Sequence, residues 1–178
     1  MRAGPFLVMA VTACASSATT GSGGSAGNLP VHVEGTSNLS VNAAPVAGVS
    51  VIAAPIDKAW LALAAVYDSL AIPRSRTDAA SHSLGISGMQ IRRRLGNVRL
   101  SRYLDCGMAQ QGPSADDYDV NLSVSTQLQP DATGGTRVTT TVGAMAKPIM
   151  ISGDYSRCSS TGEIELRVHK LLAAAMTP

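Results

Sequence analysis

The segment from Tyr118 to Leu128 alternates without a break. Tyr118, Val120, Leu122, Val124, Thr126 and Leu128 share one parity; Asp119, Asn121, Ser123, Ser125 and Gln127 share the other. A period of two puts the first set on one face of a strand and the second on the opposite face. Pro130-Asp131-Ala132-Thr133-Gly134-Gly135 reads as a turn. Thr136 to Ala146 then resumes the alternation, with Val138, Thr140, Val142 and Ala144 against Arg137, Thr139 and Thr141. Two such runs joined by a short turn predict an antiparallel hairpin with one buried and one solvated face. The buried face needs a cover, which the rest of the chain must supply.

Two segments qualify as that cover. Pro55 suits the first turn of a helix, and Ile56, Trp60, Leu63, Val66, Tyr67 and Leu70 form one stripe at helical spacing before Pro73 stops it. Trp60 and Tyr67 are read as core. Ser160-Thr161-Gly162-Glu163 fits a capping box, ahead of a helix to Met176 with Ile164, Val168, Leu171, Leu172 and Ala175 on its stripe. Further strands are expected at Val49 to Ala53, His82 to Ile86 and Val98 to Leu104. Met89 to Leu95 fits either strand or helix, its triple arginine favouring neither strongly; Gln110 to Asp117 reads as a polar loop, and Lys147 to Arg157 reads as irregular. The order predicts an α+β class: a two-layer, helix-grip-like sandwich with an antiparallel sheet of about four to five strands and two helices on one face.

Net charge is only +2 over 178 residues, which does not suggest bulk nucleic-acid binding. Trp60 is the one tryptophan and Phe6 the one phenylalanine, too few for a stacking surface. Arg92, Arg93, Arg94, Arg99 and Arg102 fall close together and form a candidate patch for an anionic partner. The alternative is a solvated sheet face with these charges paired to Asp105, Asp116, Asp117 and Asp119. His32, His82 and His169 are dispersed, whereas a metal site needs three or four convergent donors. No nucleophile-elbow, phosphate-loop or paired-carboxylate motif occurs. These observations predict no enzyme activity, no metal and no cofactor.

The N-terminus has a basic residue, Arg2, an apolar run from Phe6 to Ala13, and small residues before Cys14. That pattern reads as an export signal, and the run is far below the ~20 residues that span a bilayer. Val11-Thr12-Ala13-Cys14 resembles the lipobox of bacterial lipoproteins. The resemblance implies cleavage before Cys14, a diacylglycerol on its thiol and a membrane anchor. Ala15 at the second mature position resembles an outer-membrane sorting signal, with the domain on the periplasmic face. An ordinary signal cut after Ala15 would instead remove Cys14. Cys106 and Cys158 remain as an even pair, and in an oxidising compartment they are expected to form a disulfide.

The expected division is signal peptide 1–13, lipidated cysteine and flexible linker 14–45, and a single α+β domain 46–178. The run from Ala54-Pro55-Ile56-Asp57-Lys58-Ala59-Trp60 through Leu70-Ala71-Ile72-Pro73 to a strand containing Gly85 resembles the start of a BamC-type domain. Proteins of that type are non-catalytic accessory subunits of the outer-membrane β-barrel insertion machinery. The resemblance covers residues 49–88 and implies a helix-grip fold. The functional expectation is a membrane-anchored, non-catalytic envelope lipoprotein serving as an interaction or accessory module, within an envelope protein complex. The alternative is a periplasmic protein that binds a lipid or a small apolar ligand.

Overall fold

A computed structural model of the chain describes residues 47–149 and 153–177. The signal segment, Cys14, the linker and His32 lie outside the described residues. In chain order the elements are β1 Ala47–Ile52, α1 Ile56–Ser69, β2 Arg76–Asp78, β3 Ser83–Arg92, β4 Arg94–Leu95, β5 Val98–Arg99, β6 Leu104–Asp105, β7 Met108–Ala109, β8 Gly112–Pro113, α2 Ser114–Asp117, β9 Asp119–Pro130, β10 Thr136–Lys147, β11 Ser156–Ser160 and α3 Glu163–Met176.

The alternating pair forms the expected hairpin, β9 and β10, in register from Thr136↔Pro130 to Lys147↔Asp119. Strand β3 takes the free edge of β9. The free edge of β10 is divided: β1 pairs along Thr136 to Thr141, and β11 along Ala144 to Ala146. Outermost are β2 on β3 and β6 on β11. All these pairings are antiparallel, and together they make one seven-stranded sheet. Helices α1 and α3 touch each other and pack on the inward residues of β9, β10 and β1. The opposite sheet face is open.

The expected helix-grip-like sandwich is therefore corrected. Among the described residues the sheet has seven strands in place of four or five, and strand dominates over three helices, one of them only four residues long. Segments with no hydrophobic alternation cause the difference. Strands β2, β6 and β11 are three, two and five residues long and join through backbone pairing, which satisfies main-chain groups whatever the side chains are. Strand β3 runs ten residues into the arginine cluster. It is bent by a bulge between Ile86 and Met89, where Gly88 takes φ +73° and donates its N–H to Ser123 Oγ at 3.0 Å. The expected strand Val98 to Leu104 is broken by a 3-10 turn at Leu100–Arg102, which turns Leu100, Tyr103 and Leu104 into the core. The expected loop Gln110 to Asp117 holds the turn after β7, strand β8 and α2.

Strand β1 forms where a strand was expected, and two local details at α3 set its facing and the helix start. Val49 and Val51 are exposed, while Gly48 and Ser50 are partly covered and Ile52 is buried. Gly48 lies directly under α3: a Cβ there would sit 2.5 Å from Glu165 Cβ, so the register that tucks a bare glycine beneath the helix turns the valines outward. The capping box does not form either. The N-cap of α3 is Gly162 at φ +83°. Ser160 Oγ accepts the Gly162 N–H at 3.0 Å and donates to Glu165 Oε1 at 2.7 Å.

A polar chain threads the helix–sheet interface. Tyr67 of α1 is fully buried, and its hydroxyl donates to Leu84 O of β3 at 3.0 Å. The same oxygen lies 2.9 Å from Thr126 Oγ1 of β9, which lies 3.0 Å from Thr140 Oγ1 of β10. A carbonyl only accepts, so with the phenol proton on Leu84 the two threonines donate inward in sequence. Burial pushes the phenol up to about 12 from its ordinary 10, against the opposing pull of the Thr126 hydrogen bond. The fold thus favours the neutral phenol, and stability from this source holds below pH 10 and falls as pH climbs through about 12. Tyr67→Phe is expected to cost about 1–2 kcal/mol in denaturant unfolding, because Thr126 is left without its phenol partner. In ultraviolet titration the wild-type protein should show one late phenol that the variant lacks.

Candidate anionic-partner surface

Cys106 and Cys158 form a disulfide, S–S 2.03 Å, closing a sequence separation of 52 residues. The bond joins the residue after β6 to the middle of β11. The non-covalent ties there are slight: β11 meets β10 over three residue pairs and β6 over two. The cross-link therefore holds the sheet margin that bears Tyr155 and Arg157. Replacing both cysteines with serine is expected to lower unfolding free energy by on the order of 4 kcal/mol in the chain-entropy model. Hydrogen exchange of the variant should show β6 and β11 losing protection before β9 and β10.

The five candidate arginines are all exposed. Arg92 ends β3 and pairs with Asp119 across the strand, Nε to Oδ1 2.7 Å. Arg93 follows in the left-handed region at φ +61°, and its carbonyl accepts the Leu100 N–H at 2.8 Å. That bond closes the β4–β5 hairpin, in which Arg94 Nη1 donates to Asn97 O at 3.0 Å. Arg99 stands 4.0 Å from Asp116 Oδ2. Asp116 is already engaged, accepting from the Ser101 N–H at 2.9 Å and the Ser101 hydroxyl at 2.8 Å, which pins the 3-10 turn to α2.

Arg93, Arg94 and Arg99 thus converge on a cleft of about 320 Å³ whose acids are Asp116 and Asp117. Arg102 is absent from that cleft; its carbonyl accepts from Thr161 Oγ1 at 2.7 Å, beside the start of α3. Among the described residues Arg93, Arg94 and Arg102 enter no ion pair. The arrangement offers three guanidiniums to a multidentate anion such as a phosphate or carboxylate cluster.

The remaining titratable groups have structural surroundings. His82 packs edge-on against Trp60, ring centroids 5.6 Å apart. Glu163 is held below the usual carboxylate range by its 2.9 Å hydrogen bond from Arg167 Nε. Asp131 is lowered by the Thr133 hydroxyl and N–H and by Arg137, contacts that brace the β9–β10 turn. Among the described residues no three His, Cys, Asp or Glu side chains converge as a metal site, and no helix is long and apolar enough to cross a membrane. Sequence order could not reveal that Lys147, Tyr155 and Arg157 share the open sheet face with Arg92. Only the strand register brings them to one face.

No protein-family model matches this chain, and no curated protein matches it at significant similarity.

The strained backbone of Arg93 separates charge from stability. Glycine adopts φ +61° without steric cost, so Arg93→Gly is expected to leave the melting temperature unchanged or raise it, by up to about 1 kcal/mol of stability. The same variant should bind a polyanion such as heparin less tightly, as read by the salt needed for elution.

Proposed function

We propose that this protein is a lipid-anchored, non-catalytic module of the bacterial cell envelope, held through Cys14 on the periplasmic face of the outer membrane. In this reading it engages an anionic partner within an envelope complex through Arg93, Arg94 and Arg99. The observation that carries the proposal is the cleft of three exposed guanidiniums, two of them in no ion pair among the described residues. Unpaired cations at a concave surface favour a partner that supplies the counter-charge.

Two further features support the reading. A disulfide suits an oxidising compartment outside the cytoplasm, in keeping with the lipobox-like Val11 to Cys14. The helix–sheet interface is filled: Leu63, Tyr67, Leu122, Val124, Val168 and Leu172 are all sealed from solvent. A filled interface favours interaction at the surface over carriage of an apolar ligand between helix and sheet.

The test is purification from native membranes in mild detergent, followed by mass spectrometry of the N-terminus and of co-purifying species. An acylated Cys14 with a stoichiometric envelope protein is expected. Arg93→Ala with Arg94→Ala and Arg99→Ala should release that protein at lower salt while leaving the melting temperature within a few degrees. An unmodified Cys14 would remove the anchor, and recovery of the bait alone would remove the partner.

A further inference from the structure

The open face of the sheet is chemically uneven along its length. At the middle it carries small groups, Ser123, Ser125, Thr141 and Gly143, which line a shallow depression. At the end where β3 stops, register sets Arg92, Asp119 and Lys147 in one row across three strands. Tyr155 continues that row, with Lys147 Nζ 5.7 Å from its ring centroid. The adjacent row runs Gln90, Asn121, Met145 and Arg157. Asp119 is committed to Arg92, and among the described residues Lys147 and Arg157 enter no ion pair. The nearby acids are Asp117, which shares a cleft with Arg92, and the exposed Asp154.

Apolar tips stand among these cations. Met145 is 45% exposed, Tyr155 43% and Ile149 42%. A cleft of about 480 Å³ lies beside the rows, lined by Arg92, Gln110, Gln111, Tyr118 and Ile149 among others. Strand β10 buries Ala144 and Ala146 on its other face, which places Met145 on the open one. A purely ionic partner would use the cations and leave the three apolar groups in water.

We infer that this end of the open sheet face docks on an anionic phospholipid surface. Phosphates meet Arg92, Lys147 and Arg157, and the glycerol level just beneath meets Met145, Ile149 and Tyr155. Mixed cationic and apolar tips suit that boundary, where charge attraction and shallow apolar burial act together. Tyrosine belongs there because its ring is apolar and its hydroxyl is wet, and long cationic stems reach the headgroups while their methylenes cover apolar surface. The inference deepens the envelope reading above by naming the surface that faces the membrane, and it uses side chains other than Arg93, Arg94 and Arg99.

The experiment uses the mature chain from residue 14 with Cys14→Ser and the disulfide intact, so no acyl chain contributes. The protein is sedimented with vesicles of phosphatidylcholine alone and with vesicles in which a third of it is replaced by phosphatidylglycerol. Partition to the anionic vesicles only, weakening as salt rises, is expected. Lys147→Ala with Arg157→Ala should reduce it by an order of magnitude or more, at about fivefold per charge. Met145→Ser with Ile149→Ser should reduce it severalfold with the salt dependence retained. Lys170→Ala, an exposed cation on α3, should leave it unchanged, and near-ultraviolet circular dichroism confirms that each variant is folded.

Absence of partition, equal partition to both vesicles, or an equal loss in Lys170→Ala would overturn the inference. So would an acidic protein whose capture needs Lys147 and Arg157 when vesicle binding does not. A Cys14 found unacylated in cells would overturn the anchor and leave this result standing.

Discussion

The phenolic oxygen of Tyr67 is where the structure closes on itself. Two strands reach it directly, through Leu84 and Thr126, a third is linked through Thr140 to Thr126, and the helix that delivers it covers the centre of the sheet. A hydroxyl sealed from water must find partners inside, so α1 has one rotation and one height at which it can seat. Thr126 and Thr140 face inward among valines and leucines for the same reason: two aliphatic residues of similar shape would fill the space and leave the phenolic oxygen only its bond to Leu84 O. A second inward hydroxyl does related work at the start of α1, where Thr136 Oγ1 donates to Ala54 O at 2.7 Å. Polar links at both ends of one helix set its position, and the surrounding apolar contacts supply the bulk of the burial energy.

Residues that state their environment by period were legible in the sequence. The hairpin of β9 and β10 and the two long helices announce themselves because one side of each is apolar. Strands β2, β6 and β11 carry no such mark; their membership in the sheet depends on edges created by other strands, which a local reading does not contain. Val49 and Val51 illustrate a stronger form of the problem. Hydrophobicity assigns them inward, but the approach of α3 demands the bare backbone of Gly48 on that side, and a strand has no third face. Ser160 shows the same override at a helix end, where its hydroxyl serves Gly162 and Glu165 in place of the expected cap.

The arginine cluster was legible as a concentration of charge and illegible as a surface. A 3-10 turn carries Arg102 toward α3, while a tight hairpin folds Arg94 and Arg99 together. Arg92 points to the open sheet face, where it pairs with Asp119 of β9 and shares the face with residues of β10 and β11. Chain proximity therefore overstated the link to Arg102 and hid which side chains share a face. The single strained backbone among these residues, at Arg93, sits at the junction between the sheet row and the hairpin cleft. That position lets consecutive arginines serve two different surfaces.

The divided edge of β10 also bears on how the chain reaches this state. Among the described residues its first strand and its last pair side by side with the same partner, and Ala47 waits for Thr141, about ninety residues later in synthesis, before its pairing can form. Local zippering can build the β9–β10 turn early, but closure of the sheet is a late, long-range event. A chain that leaves the ribosome or a translocation channel N-terminus first is thus kept open for most of its passage. It acquires its stable form only when nearly all of it has arrived on one side.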